Sequence, residues 1–469
     1  MSNPEMANGP MAAVQLGISL GDRGDLDGAQ AAFERAADSP DGAAVAWAAW
    51  GLGMVFKGRG DPVAAKAAFQ RAVDSAHPSV APQAAVELGL LLKNMGDMQG
   101  AAAAYRLAVD SRHPEEAPKA ANNLGNMLAD LGDADAAISA YRYAAESGHT
   151  EAAPGSARQL GYLLQERGDL AGARAAFQTA IDSGHGDQAP RSAQALGDLL
   201  AQQADADGAR GAYQMAIDSG HPDAAPTAWL GLGILEAQHG NPQAARHAYQ
   251  MAIDSGHPDA GPPAAVLLGL LLEDQDDSAG ALHAYRRAMD ARHPAATPQA
   301  ALKAAALLAG QGDEPGACAA CQVAIDSGHP DAAPRAAVIL GMTLSRRGDL
   351  VGARAAYRYA VDSRHPEVTS MAAWRLADLE APRAAQPYQV VLTRGVDDQL
   401  AAVNRPSQSE VHTAISALST TPKPSGTRQQ DLISGPFHKD AGGYRIEWMV
   451  NEADRTVLVI GIASSVVHP

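Results

Sequence analysis

The sequence is poor in four features, and each scarcity excludes a class of protein. Only two of the 469 residues are cysteines, which excludes a disulfide framework of the secreted type. Aromatic residues make up 4% and hydrophobic residues 46%, a balance that favours closely packed helices over a sheet-rich fold. The formal charge of −17 argues against general affinity for nucleic acid. No uninterrupted apolar run approaches the roughly 18 residues of a membrane span.

The N-terminal stretch "MSNPEMANGPMAAVQLG" lacks the basic start and the long apolar core of a signal peptide. We therefore expect a cytoplasmic protein without a membrane partner, with residues 1–9 forming a disordered tail. The chain is too long for one ordinary compact core, so several domains or an elongated array are expected.

A strict period of 36 residues runs through most of the chain. The stretch "DSGHPDAAP" lies at 218–226 and returns unchanged at 326–334, three periods later. A Gly-Asp pair recurs at the same interval from Gly24-Asp25 to Gly348-Asp349, except that the positions at 204, 240 and 276 hold Ala-Asp, Gly-Asn and Asp-Asp. Ten units therefore follow one another from about residue 10 to about residue 369, which is the signature of a repeat architecture.

Each unit has the pattern of two helices. The first carries a Leu-Gly pair such as Leu88-Gly89, from which Ala304-Ala305 is the one clear departure. The second carries Ala, an aromatic residue and Ala at i, i+4 and i+7, which lie on one helical face. Only Cys321 interrupts the aromatic column. The glycine of each Gly-Asp pair is suited to end the first helix, and the aspartate to cap the second.

The connectors between units contain a histidine that recurs every 36 residues, and two roles are conceivable for these histidines. A capping role in the connector is favoured over metal binding, because none of these histidines has another at the i+4 spacing of zinc helices. Likewise Cys318 and Cys321 form a lone CxxC, for which core packing is favoured over redox or zinc chemistry. We predict no metal and no cofactor. The recurring histidines are His77, His113, His149, His185, His221, His257, His293, His329 and His365.

The unit resembles a known repeat. A Leu-Gly pair, Ala thirteen residues after the Leu, an aromatic residue four later and Ala three after that are similar to the tetratricopeptide repeat (TPR). The resemblance implies an all-α superhelical solenoid over residues 10–380, built of ten helix-turn-helix units and closed by a terminal helix at 371–380. It also implies a concave groove that binds a peptide or protein partner.

The resemblance places the groove at first-helix positions five before, two before and two after the Leu. These positions are apolar in the outer units and polar in the middle ones. We hypothesise that the polar side chains bind a ligand backbone or carboxylate by charge-assisted hydrogen bonds, with Asn122, Asn126, Arg158 and Arg191 in contact. The alternative is a solvated helix face without a partner. The polar set is Lys119, Asn122, Asn126, Arg158, Tyr162, Arg191, Gln194 and Asp198, and the apolar set is Met11, Val14, Ile18, Trp47, Trp50, Met54, Val266, Leu270 and Val338.

Residues 381–469 lose the period and predict a small α+β domain. "YQVVL" predicts a strand, and "VDDQLAAV" and "SQSEVHTAISAL" predict two helices. After a loop, "GYRIEWMV" and "RTVLVIGIA" predict an antiparallel hairpin across "NEAD".

This order, with "LISGP" before the hairpin, resembles the RelE/ParE toxin superfamily. The resemblance implies a toxin of a toxin–antitoxin system that cleaves messenger RNA on the ribosome or acts on gyrase. Arg445 falls where ribonuclease members place a phosphate-contacting arginine, so nucleic acid or the ribosome would be a partner only if this domain is active. His438, Lys439 and His468 are further candidates for acid–base chemistry, with exposed loop residues as the favoured alternative.

Three features favour a degenerate or purely binding domain over an active enzyme. Active members often end their final strand in Gly-His-Arg, where this chain has residues 463–465, "ASS". Residues 381–469 hold equal numbers of basic and acidic side chains. The segment "GPFHKDAGGYR" is shorter than the family pattern, as though one strand were trimmed. The favoured interpretation is a scaffold, the alternative is a toxin with its own recognition arm, and a third possibility is that the array restrains the small domain.

Overall fold

The computed structural model describes residues 9–380, 388–420, 422, 428–429, 436–451 and 456–465. The expected disordered tail (1–9) therefore lies outside the described residues except for Gly9, as does His468. The chain divides into two compact bodies, Met1–Gly231 and Leu232–Pro469, and we call them the first and the second body.

The first body consists of helical hairpins. From α1 to α12, each odd-numbered helix packs against the even-numbered helix after it, and each even-numbered helix up to α10 packs against the first helix of the next unit. The helices are α1 (Pro10–Asp22), α2 (Leu26–Ala37), α3 (Gly42–Gly58), α4 (Pro62–Asp74), α5 (Val80–Asn94), α6 (Met98–Asp110), α7 (Glu116–Asp130), α8 (Ala134–Glu146), α9 (Ala152–Glu166), α10 (Leu170–Asp182), α11 (Gln188–Gln202), α12 (Ala206–Asp218) and α13 (Ala224–Gln238), whose second half belongs to the second body.

The second body continues the same pattern up to a terminal helix. Its helical part comprises α14 (Pro242–Asp254), α15 (Gly261–Glu273), α16 (Ser278–Asp290), α17 (Ala296–Gln311), α18 (Glu314–Asp326), α19 (Ala332–Arg346), α20 (Leu350–Asp362) and α21 (Thr369–Glu380). Consecutive helices pack against each other from α14 to α21. The predicted helical pairs and the unpaired final helix are thus confirmed.

Short-range signals in the sequence set the ends of these helices. Gly96 follows α5 with a φ of 81°, a left-handed conformation that glycine adopts without strain. The Oδ1 of Asp97 then accepts a hydrogen bond of 2.9 Å from the backbone N–H of Gly100 and caps α6. Two units make the same turn without glycine, since Ala204 and Asp276 have φ values of 59° and 60°.

Inside a hairpin, the aromatic ring of the second helix packs over the glycine of the Leu-Gly pair. A Cβ atom added at Gly89 would lie 2.6 Å from the ring of Tyr105, and one added at Gly197 would lie 2.5 Å from the ring of Tyr213. Only a residue without a side chain leaves room for the ring. In the ninth unit both residues differ together, since Ala305 takes the glycine position and Cys321 the ring position, and both are fully buried.

The C-terminal part of the second body is a small α+β domain. It contains β1 (Gln389–Leu392), α22 (Val396–Ala402), α23 (Arg405–Ala417), β2 (Arg428–Gln429), β3 (Phe437–Ala441), β4 (Tyr444–Asn451) and β5 (Thr456–Ser464). The five strands form one sheet in the order β1-β5-β4-β3-β2, in which β1 runs parallel to β5 and the other pairs are antiparallel. Its core contains Ile446, Trp448 and Val459 from the sheet and Val411 from α23.

The domain confirms the predicted strands at 388–392, 443–450 and 455–463 and both predicted helices, and it corrects one expectation. The segment before β4 contains a five-residue strand, β3, where the sequence predicts loop residues. Gly442 and Gly443, with φ values of 60° and 80°, make the two-residue turn between β3 and β4. His438 and Lys439 therefore lie in a strand and are not loop residues.

Within the described part of the chain, no helix combines the length and the apolar character that crossing a bilayer requires.

Candidate functional site

The polar groove positions lie on three neighbouring first helices of the first body. Helix α9 contacts α7 on one side and α11 on the other. All eight predicted polar residues on these helices are neither fully buried nor fully exposed. Side chains of this intermediate exposure can be held by the protein and still reach a ligand. They are Lys119, Asn122, Asn126, Arg158, Tyr162, Arg191, Gln194 and Asp198.

The tyrosine rings that pack on the glycines also reach this face. The hydroxyl of Tyr141 donates to the Oδ1 of Asn126 at 2.7 Å, and that of Tyr213 donates to the Oδ1 of Asp198 at 2.7 Å. In both units the acceptor is the residue two after the Leu. A second helix thus fixes the rotamer of a polar side chain on the first helix of its own hairpin.

A further hydrogen bond crosses from one unit to the next. The hydroxyl of Ser156, at the start of α9, donates to the Oδ1 of Asn122 on α7 at 2.9 Å. Asn122 retains the two N–H donors of its amide, for which no hydrogen-bond partner occurs among the described residues. Its side chain is therefore oriented by the neighbouring unit and presents donors to the face.

Arg158 is held by neutral partners. Its Nε donates to the Oε1 of Gln188 at 2.8 Å, and its guanidinium carbon lies 5.8 Å from the centroid of the Tyr162 ring. The Tyr162 ring in turn packs edge-on against Phe177, with centroids 5.2 Å apart. The cation and the ring therefore hold each other in place through a cation–π contact.

Arg191 and Lys119 are paired with carboxylates of the protein itself. Arg191 lies 2.9 Å from Asp187 in its own unit and 2.5 Å from Asp223 in the next connector. The hydrogen bond from Arg191 lowers the pKa of Asp187 and raises that of the guanidinium. Lys119 lies 3.3 Å from Glu116. The i,i+4 spacing of Asp187 and Arg191 is visible in the sequence, whereas the Asp223 contact depends on how the units stack.

A cavity of about 460 Å³ opens between α9 and α11 beside these residues. It is lined by Tyr162, Gln165, Glu166, Leu170, Ala195, Asp198 and Gln202. Asp198 accepts hydrogen bonds from Tyr213 and from the Nε2 of Gln194. Burial raises the pKa of Asp198, although both hydrogen bonds oppose that effect. The sequence pattern had included Asp198 in the groove but did not reveal the cavity.

The apolar groove positions divide into two kinds. In the first body, Trp47 and Trp50 pack edge to face with centroids 5.8 Å apart, and Met54 is 37% exposed. In contrast, Val14, Val266 and Val338 are 2–6% exposed and belong to the packing of their hairpins. The prediction that these three valines line a groove was wrong, because their side chains are packed inside their hairpins.

The connector histidines cap the first helices, as predicted. The Nδ1 of His221 accepts from the backbone N–H of Asp223 at 3.2 Å and of Ala224 at 3.1 Å. Its Nε2 lies 3.0 Å from Asp187 of the preceding connector. Since Nδ1 accepts, Nε2 carries the hydrogen and donates to that carboxylate. The other eight histidines accept from backbone N–H groups in the same way.

The cysteine pair lies in the packing of α18. Cys321 is fully buried and Cys318 partly so, and burial raises the pKa of the Cys321 thiol to about 12. Such a thiol is a poor nucleophile and behaves as a small apolar side chain. Among the described residues, no group of three or more His, Cys, Asp or Glu side chains could hold a metal ion.

The small domain places only part of its predicted set together. Arg445 on β4 lies opposite Asp440 on β3, and its Nε is 3.5 Å from the Oδ1 of that aspartate. His438 is two residues from Asp440 on the same strand, so it shares the face of Arg445. Lys439 lies opposite Ile446 and points to the other face of the sheet.

Comparison with known proteins gives matches to repeat proteins, and no curated protein sequence matches the chain. A solved structure of PilF from Pseudomonas aeruginosa is 20% identical, covers 46% of this chain and 92% of its own, and has a TM-score of 0.35. Yeast Tom70 is 11% identical and covers 79% and 95%, with a TM-score of 0.36. YrrB, described as a TPR protein with an unusual peptide-binding site, is 18% identical and covers 41% and 93%, with a TM-score of 0.32.

A family model described as "Tetratricopeptide repeat" matches the sequence at residues 14–81, 51–114, 86–157, 158–224 and 195–265. These matches overlap or adjoin and together extend over more than half of the chain. They cover hairpins in which the ring-on-glycine contact recurs every 36 residues. The chain therefore belongs to the tetratricopeptide repeat family.

Proposed function

We propose that the chain is a protein-interaction scaffold and that the first-helix face of α7, α9 and α11 binds a peptide segment of a partner protein. The observation that carries this proposal is the alignment of eight partly exposed polar side chains on three neighbouring helices, next to a cavity. A solvated face without a partner would not need rotamers fixed by Tyr141, Ser156 and Tyr213 from other helices.

Each side chain suits a different part of a peptide. Asn122 and Asn126 offer amide groups that can donate to and accept from an extended backbone. Lys119 is 42% exposed and has three N–H donors but one carboxylate partner, so it can bind a second acceptor. Arg158 and Arg191 retain unused N–H donors of their guanidinium groups, because each uses only part of its five.

The apolar first helices of the same body supply a second kind of contact. Trp47, Trp50, Met54 and Leu90 lie on α3 and α5, and a cavity of about 220 Å³ beside Trp50 and Met54 is also lined by Ile18 and Phe33. Partly exposed aromatic and Met side chains are typical of surfaces that bind apolar peptide residues. A partner segment with both apolar and polar residues fits this body best.

The test is capture of partners by the full-length chain. The variant N122A/N126A/R158A/R191A should lose most co-purifying proteins, identified by mass spectrometry, that the wild type retains. The matched control is R106A/R142A/Q178A/Q214A, which removes two arginines and two amides from exposed positions of second helices. Equal capture by the two variants and the wild type would remove this face from consideration.

One observation favours a second function for the small domain, namely that Arg445 and His438 share one face of the sheet. The interpretation as a RelE/ParE-like toxin, with Arg445 stabilising charge on a phosphate, stays a prediction. Expression of the full chain and of residues 381–469 in bacteria tests it. Growth arrest relieved by Arg445→Ala would support a toxin, growth arrest by the short chain only would support restraint by the array, and harmless expression of both would favour a binding domain.

A further inference from the structure

The cavity between α9 and α11 has the dimensions of a ligand subsite. Its volume of about 460 Å³ falls in the range of about 300–1,000 Å³ that is typical of pockets for small ligands. Its walls come from the first helices of two consecutive units and from Leu170 at the start of α10. Gln165 on α9 donates to Gln202 on α11 at 3.1 Å across it. One side chain of an extended peptide that lies across α9 and α11 would enter such a cavity.

The titratable side chains that line the cavity are two carboxyls and a phenol. Asp198 accepts hydrogen bonds from a phenol and an amide, and no cation forms an ion pair with it among the described residues. Glu166 is exposed and likewise has no cationic partner in the described part of the chain. A desolvated carboxylate without a cation is costly in the free protein, and burial accordingly raises the pKa of Asp198.

The arginines that lie near the cavity residues in sequence already have partners outside the cavity. Arg191 is held between Asp187 and Asp223, and Arg174 lies 3.8 Å from Asp205. Arg158 stacks on the Tyr162 ring and donates to Gln188, and it does not line the cavity. The negative charge of the lining is therefore left for a ligand.

One wall of the cavity is aromatic. Tyr162 lines the cavity, and its ring already attracts one guanidinium at 5.8 Å. An aromatic wall beside two carboxylates recognises a cationic group through ring and charge together. The formal charge of −17 on the whole chain also favours encounter with a basic partner.

From this arrangement we infer that the cavity is a specificity subsite for a basic side chain, lysine or arginine, of the bound peptide, with Asp198 as its carboxylate partner and Tyr162 as its wall. The inference rests on the proposed function, because it assigns one side chain of the peptide that the face binds.

Selection of random twelve-residue peptides displayed on phage tests it with the protein as it exists. The full chain, Asp198→Asn, Glu166→Gln and the control Asp207→Asn are each immobilised, the control being an exposed carboxylate on α12. Wild type and control should select peptides with lysine or arginine enriched at one position. Asp198→Asn should still select peptides but lose that enrichment, and Glu166→Gln should reduce it.

Measuring the affinity of a selected peptide makes the test quantitative. Replacing its basic residue with norleucine should weaken binding to wild type by about tenfold or more, as expected for a hydrogen-bonded charge, and should hardly change binding to Asp198→Asn. Equal weakening in both proteins, or enrichment that survives in Asp198→Asn, would overturn the subsite and leave the groove intact. No peptide selected by any of the four proteins would overturn the proposed function and this inference together.

Discussion

The hydroxyl of Tyr213 donates a hydrogen bond of 2.7 Å to the Oδ1 of Asp198, so the second helix of the sixth unit holds a carboxylate on the face of the first. The same ring covers Gly197. One side chain therefore closes the hairpin and orients a candidate ligand contact.

Asp198→Asn should stabilise the chain at neutral pH. Burial raises the pKa of Asp198, so the folded state holds this proton more tightly than the unfolded state, and the associated stability is lost as pH rises above the ordinary carboxyl range. An amide keeps an acceptor for Tyr213 without a charge. The gain should be on the order of 1 kcal/mol near pH 7 and should shrink towards pH 4, where the carboxyl becomes protonated.

Thermal unfolding of both proteins at the two pH values measures this difference. Asp207→Asn, with its carboxylate almost fully exposed, is the control and should change little at either pH. A loss of stability for Asp198→Asn that is the same at pH 7 and pH 4 would contradict the argument.

In the ninth unit, Cys321→Tyr should destabilise the chain and Ala305→Gly should rescue it. A tyrosine ring at residue 321 would meet the Cβ of Ala305, as rings elsewhere would meet an added Cβ at Gly197 or Gly89. Overpacking of this kind costs about 1–3 kcal/mol. The double variant A305G/C321Y should recover most of the loss, as measured by the urea midpoint.

The single variant Ala305→Gly provides the necessary control. It leaves a small gap next to Cys321 and relaxes the helix, so it should lower stability by itself. Rescue is then shown if the double variant loses less stability than the two single variants lose together. Additive losses would mean that the two positions do not face each other.

Ala204→Gly should stabilise the chain by about 1 kcal/mol, because Ala204 is held at a φ of 59°, which costs a residue with a Cβ about 1–2 kcal/mol. The increase in melting temperature measures it. Ala175→Gly, at an exposed position inside α10, is the matched control and should lower stability by about 0.5–1 kcal/mol. The same loss at both positions would show that the turn is unstrained.

His221→Ala should lower stability by about 1 kcal/mol, the usual effect of losing an N-cap acceptor. It removes the acceptor for the N–H groups of Asp223 and Ala224 and the donor to Asp187. His283→Ala, at an exposed position of α16, should change the melting temperature little. Amide hydrogen exchange should speed up at the start of α13 in the first variant only. Unchanged exchange there would contradict a capping role.

The sequence predicts the helical pairs well because each signal is local. Gly96 and Asp97 end one helix and begin the next within a few residues, and the period repeats this punctuation. In the small domain, β3 escaped prediction because "FHKDA" has no regular apolar alternation. The signal was the Gly442-Gly443 pair, which favours a tight hairpin before the apolar strand β4.

The sequence predicts which residues of the candidate site share a helical face, but it does not predict the partners of their side chains. Column positions placed Arg191 and Asp198 on one face, since that requires only helical spacing. That Asp223 neutralises Arg191 from the next connector depends on the rise between stacked units, which no local pattern encodes. The valines at 14, 266 and 338 show the same limit, because Val86 lies at the same position of its unit and is partly exposed, so burial there depends on packing that the residue type does not reveal.

The ring-on-glycine contact within a hairpin joins partners that are sixteen residues apart, as at Gly197 and Tyr213. The Tyr213 ring also packs against Gly231 of the next hairpin, where an added Cβ would lie 2.7 Å from it. A 36-residue cassette cut at the connectors would carry the ring-on-glycine contact of its own hairpin with it, and would have to form the contact with its neighbour anew. Cassettes could then be duplicated, removed or exchanged between arrays without redesign of their interiors. The hairpins that carry Tyr162 and Asp198 could in this way be transplanted as a pair, to give another array the proposed subsite for a basic peptide side chain.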